Sequence, residues 1–312
     1  MDTLDAAATR TLVRRDFGID LAVLEPVTGG LDRRARVWCA TDDSGALWSV
    51  KASLRDGRFG LALASALGDA GAPGVAAPRR AVDGRPWAES GGVLVSLAPW
   101  ILGQDAVDAD DDALSWERFG GVLRCVHDAE PPVGASPTRR GIRRERRPPA
   151  VLIAEVDEHP AGRSALWREH RGRLLALASA ERRLKRGRSA TSRVPVHGDP
   201  HRGNIVIDQA HRPWLIDFDE STVAPREVDL LLVELGVIFS RPITDDQRRA
   251  FRAGYGETLI DDERIARFGC VRAVEDATAA FLDPDPQDLA GQLGPHGLVS
   301  LVETALERLR RS

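Results

Sequence analysis

The chain has 312 residues, 43% of them hydrophobic and 29% charged, with a net charge of −4. It is too long for one small core and calls for one large domain or two modest ones, and its slight acidity gives no footing for nucleic acid as the main partner. Three cysteines, Cys39, Cys125 and Cys270, lie far apart with no CxxC pair, which argues against a disulfide framework and a cysteine zinc site.

The N-terminal twenty residues show no basic segment followed by an apolar one. The longest apolar run, LLLVELGVIF, carries Glu234 and is too short to cross a bilayer. The expectation is a cytoplasmic protein with no membrane partner. Only Lys51 and Lys185 are lysines among 43 basic residues, so each lysine stands out against an arginine background.

In chain order, the first hundred residues read mainly as short strands and tight turns. VLEPVTGGLD is a strand running into a glycine turn. RARVWCATDD alternates as a strand should, with Val37 and Cys39 on one face and Trp38 on the other, and ALWSVKAS returns after the DDSG turn. FGLALASALGDAG reads as a short helix ended by glycine, AAPRRAVDGRPWAES as a second hairpin, and GGVLVSLAPW as a buried strand.

After Trp100 the character changes. Residues 102–113 are acidic and polar, and ALSWERFGGVLRCVHDA has helical spacing with Leu114, Phe119, Val122, Leu123 and Val126 on one face. A Pro- and Arg-rich linker follows at residues 131–149, then helix over 151–186 with a break near Pro160. Strands and loops occupy 194–219, and helices run from about Val228 onward, interrupted at RPITDD and PDPQD. Strands first and helices later, divided near residue 99, is an α+β two-lobe plan.

Chemistry concentrates in VPVHGDPHRGNIVID and PWLIDFDES. Asp199 lies five residues before Asn204, and a hairpin through IVIDQAHRPWLI brings Asp217 back to face that loop. Two carboxylates and an amide oxygen are hard ligands suited to Mg²⁺ carried with phosphates, with one carboxylate left to accept a hydroxyl proton. This is the set of parts that phosphoryl transfer needs. A metallohydrolase built on His197, Asp199 and His201 is a rival, but Pro200 breaks any helix that would align the three.

HGDPHRGNI, WLIDFDE and PREVDLL together resemble the aminoglycoside phosphotransferase and choline kinase-like family, a branch of the protein-kinase-like fold. GGLDRRARVW, SVK and LRCVH extend the resemblance along most of the chain, and DFDESTVAPREVDL is nearest in flavour to spectinomycin phosphotransferase-like members. The resemblance implies a small antiparallel sheet lobe for nucleotide and hinge over residues 1–99, and a mainly helical lobe with catalytic loop and acceptor site over 100–312. It implies an ATP- and Mg²⁺-dependent O-phosphotransferase, with GTP open as donor. Asp199 would be the base, and Asn204 and Asp217 the metal ligands. Lys51, with the Gly29–Gly30 turn, would grip the phosphates. Backbone at Ser96 to Ala98 would meet the adenine, and His197 and Asp229 would support the loop.

The family normally pairs its lysine with a helix glutamate, yet between Lys51 and Gly71 the only acids are Asp56 and Asp69. That departure motivates a rival from another class, a non-catalytic nucleotide-binding pseudokinase. The acceptor is expected to be a cationic small molecule, foremost an aminoglycoside or aminocyclitol antibiotic, with a sugar or amino alcohol as the metabolic alternative. Asp219, Glu275 and Asp276 are the candidate acceptor residues, with the acidic runs at 105–112 and 261–263 as further candidates; the arginines of 139–147 argue the other way, as an exposed linker that could attract an acidic acceptor. The assembly is expected to be a monomer or a homodimer.

Overall fold

The computed structural model describes residues 5–27, 34–135, 147–186, 191–238, 241–282 and 286–311. The Gly29–Gly30 turn and most of the 139–147 arginine cluster lie outside the described residues.

The N-terminal part is a five-stranded antiparallel sheet, order β1-β2-β3-β5-β4, built from β1 (Leu21–Pro26), β2 (Ala35–Asp42), β3 (Leu47–Ser53), β4 (Ala88–Ser90) and β5 (Val93–Pro99). Alternation assigns its faces. Trp38, Ala40, Val50, Ala52, Val93, Val95 and Leu97 point one way and are buried with Leu12, Val13 and Phe17 of helix α1 (Ala6–Phe17). The α1 helix was not expected from the sequence. Its signals are nonetheless local: Asp5 caps Ala8 N–H at 2.7 Å, and Gly18 closes the other end in a left-handed conformation.

The second hairpin expected at 76–90 does not form, and only β4 pairs with β5 there. Pro78 and Pro86 cannot donate to a ladder, so this segment runs as a loop tied by Arg79 N–H to the Leu97 carbonyl at 2.7 Å.

Helix α2 (Arg58–Asp69) leaves the sheet's company. Its Phe59, Leu63, Ala64 and Leu67 belong to the larger core, the one made mostly by the helices that follow. β6 (Gly103–Asp105) pairs with the later hairpin, and α3 (Trp116–Asp128), α4 (Pro149–Glu158) and α5 (Ala165–Arg186) build that core with the break at Pro160 in place. Phe119, Val122, Leu123 and Val126 of α3 are buried as one face, together with Leu114 just ahead of the helix.

Next come β7 (Val194–Val196), β8 (Ile205–Asp208), β9 (Pro213–Leu215) and β10 (Thr222–Ala224), then α6 (Glu227–Leu235). The short pair β11 (Val237–Ile238) and β12 (Arg241–Pro242) precedes α7 (Asp245–Tyr255), α8 (Asp262–Leu282), α9 (Pro286–Leu293) and α10 (Leu298–Arg311). A small antiparallel sheet joined to a mainly helical part is the α+β, protein-kinase-like arrangement expected. No helix among the described residues is long and apolar enough to cross a membrane.

Candidate active site

β7 delivers His197, Gly198 and Asp199 into the space between sheet and helices. His197 is fully buried; its Nε2 donates to the Ile216 carbonyl at 2.9 Å and its Nδ1 accepts the Asp199 N–H at 3.3 Å. With both ring nitrogens occupied, His197 is a brace between two loops, which removes it from the metallohydrolase alternative.

Asp229 of α6 is the second brace. Its carboxylate accepts the backbone N–H groups of His197 at 2.7 Å and Gly198 at 2.8 Å, and its Oδ2 lies 3.1 Å from His127 Nε2. The other His127 nitrogen meets the Tyr255 hydroxyl at 2.6 Å, and burial pushes that phenol up to about 12, so it keeps its proton. Gly198 is required by space as well as by conformation. Its φ is +90°, and a Cβ there would stand 2.3 Å from the Glu220 carbonyl oxygen.

Asn204 donates through Nδ2 to the Asp199 carbonyl at 2.8 Å. That bond orients the amide, and among the described residues no hydrogen bond reaches its Oδ1. The Asn204 carbonyl accepts Ile216 N–H at 2.9 Å, which sets Asn204 beside the start of the Asp217 turn. Asp217 itself is left-handed, at φ 60° and ψ 67°, a conformation that costs a non-glycine residue about 1–3 kcal/mol and that clusters at functional sites.

Lys51 reaches across from β3. Its Nζ lies 2.7 Å from Asp217 Oδ1 and 2.8 Å from Asp219 Oδ2. Burial alone would lower the lysine, but the two carboxylates outweigh it and raise it above its ordinary value. Burial pushes Asp217 up, yet Lys51 beside it brings the carboxyl below the usual range. Asp219 goes the other way, raised by burial and by the neighbouring Asp217 charge.

Where the resemblance led to the expectation of a helix glutamate, Lys51 meets acids of the 217–219 turn. Gly60 of α2 sits so close that a Cβ would be 1.7 Å from the Phe218 carbonyl oxygen, so the helix abuts the 218–220 turn directly. The acid for Lys51 comes from that turn, as Asp219, which the sequence had offered as an acceptor residue.

Ser96 and Ala98 pair with Lys51 and Ser49 across the β3–β5 ladder. Leu97 O accepts from Arg79 on one side of β5, and Trp100 N–H donates to Leu47 O on the other. By alternation, the backbone groups of Ser96 and Ala98 therefore face β3. Their small side chains lie on the Lys51 face of the sheet, and by the same alternation the Leu97 N–H and the Pro99 carbonyl face away from β3.

Asp276 of α8 holds Arg272 Nε at 2.5 Å, and Arg272 Nη1 donates to Asp199 Oδ1 at 2.7 Å. Glu275 is half-buried on the same helix. In the acidic run, Asp111 is engaged by Arg202 at 2.7 Å and Arg241 at 3.2 Å, a structural use. Arg202 and Arg272 were missed from the sequence. Only the four-residue spacing of Arg272 to Asp276 was there to be read.

Two carboxylates, an amide oxygen and a lysine, gathered between a small sheet and a helical lobe, match the arrangement of a phosphotransferase of kinase-like architecture. The chain belongs to the phosphotransferase enzyme family (APH), which it matches over residues 23–268. It is similar to spectinomycin phosphotransferase APH(9)-Ia, solved with ADP and spectinomycin, at 18% identity and a TM-score of 0.82, covering 98% of this chain and 100% of that one. An aminoglycoside phosphotransferase from Alicyclobacillus acidocaldarius subsp. acidocaldarius aligns at 17% identity and a TM-score of 0.61, over 100% of this chain and 97% of that one. A macrolide 2'-phosphotransferase type I aligns at 19% identity and a TM-score of 0.52, over 93% and 97%. No curated protein matches the chain.

Proposed function

We propose that this enzyme is an ATP- and Mg²⁺-dependent O-phosphotransferase for a hydroxyl of a small molecule, with an aminocyclitol or aminoglycoside antibiotic as the leading acceptor. The observation that carries the reading is the convergence of Asp199, Asn204, Asp217 and Lys51, drawn from both lobes, around one cleft. The full-length likeness in fold to a spectinomycin phosphotransferase favours that acceptor class over a metabolic sugar or amino alcohol.

The donor set fits a divalent cation. Asn204 Oδ1 takes no hydrogen bond among the described residues, and Lys51 occupies only Oδ1 of Asp217, leaving Oδ2 to ligate. Two protein oxygens with the remainder from phosphate and water is the usual arrangement for Mg²⁺. When bound, the ion neutralises phosphate charge as the γ-phosphoryl group becomes loosely held.

The chain's own residues do the rest. Lys51 is poised to exchange its carboxylate contacts for the donor's phosphate oxygens. Asp199 orients the acceptor hydroxyl and takes its proton as the acceptor oxygen bonds to the γ-phosphorus. The bond from that phosphorus to the bridging oxygen breaks, leaving ADP and a phosphate ester. The small-residue face of Ser49, Ser96 and Ala98 leaves room for a flat base against the sheet. Lys51 has an acid partner in Asp219, so the ground for a pseudokinase is reduced.

Phosphorus NMR tests the reading. The enzyme is incubated with Mg-ATP and a panel of aminocyclitols, aminoglycosides, sugars and amino alcohols. A new phosphate-ester resonance with one aminocyclitol or aminoglycoside is expected. An ester on a sugar or amino alcohol alone would move the acceptor to metabolism, and no ester with any acceptor would contradict the proposal.

A further inference from the structure

We infer that Arg272 is a positioning residue for the base, and that Asp276 acts through it. The inference rests on the phosphotransferase reading above. Asp199 lies on a loop whose backbone is braced by His197, Asp229 and Asn204. None of those braces fixes the carboxylate itself, whose terminal torsion is broad. The group that grips it comes from elsewhere, 73 residues further along the chain.

Arg272 Nη1 donates to Asp199 Oδ1 at 2.7 Å while its Nε donates to Asp276 Oδ2 at 2.5 Å. The two acceptors lie on different elements, and Asp276 is one helical turn beyond Arg272 on α8. A planar guanidinium held at one corner presents its other N–H groups in a fixed direction, which a lysine could not do. The arginine side chain is only 12% exposed, so water competes weakly for these bonds. His201 flanks the other oxygen, with Nε2 at 3.6 Å from Oδ2, beyond hydrogen-bond range.

The consequence is that Oδ1 of Asp199 is held by Arg272, which fixes the plane in which the carboxylate meets the acceptor hydroxyl. Arg272 also ties the base to α8. An acceptor that shifts α8 therefore shifts the base with it.

The test compares acceptor turnover by wild type, Arg272→Ala, Arg272→Lys, Asp276→Asn and the Arg272→Ala/Asp276→Asn pair, with and without low-millimolar guanidinium. Misplacing a reacting group by about 1 Å can cost ~100-fold in rate, so Arg272→Ala is expected to lower kcat roughly 10- to 100-fold with KM for Mg-ATP unchanged. Asp276→Asn should fall in the same direction but less, the pair should be no worse than Arg272→Ala alone, and guanidinium should restore part of the Arg272→Ala rate. Wild-type kcat in Arg272→Ala, or a loss that guanidinium does not relieve and that tracks lost nucleotide binding, would overturn the assignment. Should Arg272→Ala fail to fold, wild-type kcat in both Arg272→Lys and Asp276→Asn would do so. Absence of transfer by wild type would overturn the phosphotransferase reading and Arg272 with it, whereas transfer by wild type with Arg272 dispensable overturns the positioning role alone.

Discussion

Lys51 is one of two lysines in an arginine-rich chain, and its surroundings explain why a compact ammonium is kept there. Asp217 and Asp219 approach one nitrogen from two sides at 2.7 and 2.8 Å, where a planar fork would fit less well. Asp217 is the proposed metal ligand, so Asp219 must hold the lysine when Asp217 turns to the ion. Asp219→Asn should then raise Kd for Mg-ATP about tenfold, the scale of one lost charge-assisted contact, while the protein stays folded. Nucleotide titration calorimetry checks this, and unchanged affinity would remove Asp219 from the role. The sequence made Lys51, Asp199, Asn204 and Asp217 legible because their spacing within short motifs is fixed by local turns. It could not show Asp219 on Lys51 or Arg272 on Asp199, since both pairings are made only when distant elements pack.

Two hairpins, one in each part of the molecule, share a turn device. In the β2–β3 turn, Asp42 Oδ1 accepts Ser44 N–H and Ala46 N–H at 2.9 Å each, and Oδ2 accepts the Trp48 indole at 2.8 Å. In the β8–β9 turn, Asp208 Oδ1 accepts Ala210 N–H and Arg212 N–H at 2.9 Å each, and Oδ2 accepts the Trp214 indole at 3.0 Å. The same six-residue interval from Asp to Trp thus sets the register of the strand carrying Lys51 and of the hairpin leading to Asp217. The hydroxyl and indole donors hold the Asp42 carboxyl down at about 2. A carboxyl lowered on folding stabilises the native state above its unfolded value near 3.9, and that stability is lost as pH falls toward the folded value. Asp42→Asn should therefore lower Tm at neutral pH, with the gap to wild type closing between about pH 4 and pH 2. A gap independent of pH in thermal unfolding would refute the ionic role. Sequence reading found the turns themselves from DDSG and the polar DQAHR stretch. It placed a hairpin at 76–90 whose ladder Pro78 and Pro86 interrupt, and passed over α1, whose cap residues are ordinary helix signals but whose partners lie on the sheet.

Among the described residues there are two apolar cores, one under the sheet with α1 and one filling the helical part, and α2 packs into the second although it lies between strands of the sheet in sequence. We keep residue 99 as the proposed division of the chain, with α2 as the element that crosses it in packing. Ion pairs span the cleft: Lys51 to Asp217 and Asp219, and Arg55 to Glu220 at 3.0 Å. The two-lobe plan was legible because most of the long strands precede residue 99 and most of the helices follow it, whereas the cross-lobe packing of α2 depends on glycines whose meaning is only spatial. The account as a whole rests on acceptor-dependent phosphoryl transfer with Asp199 as the base. Its most direct test is ADP release from Mg-ATP, led by spectinomycin and related aminocyclitols, in wild type and in Asp199→Ala. The account predicts release that needs the acceptor in wild type and none above background in Asp199→Ala, which still binds Mg-ATP. Equal release by both proteins would contradict it.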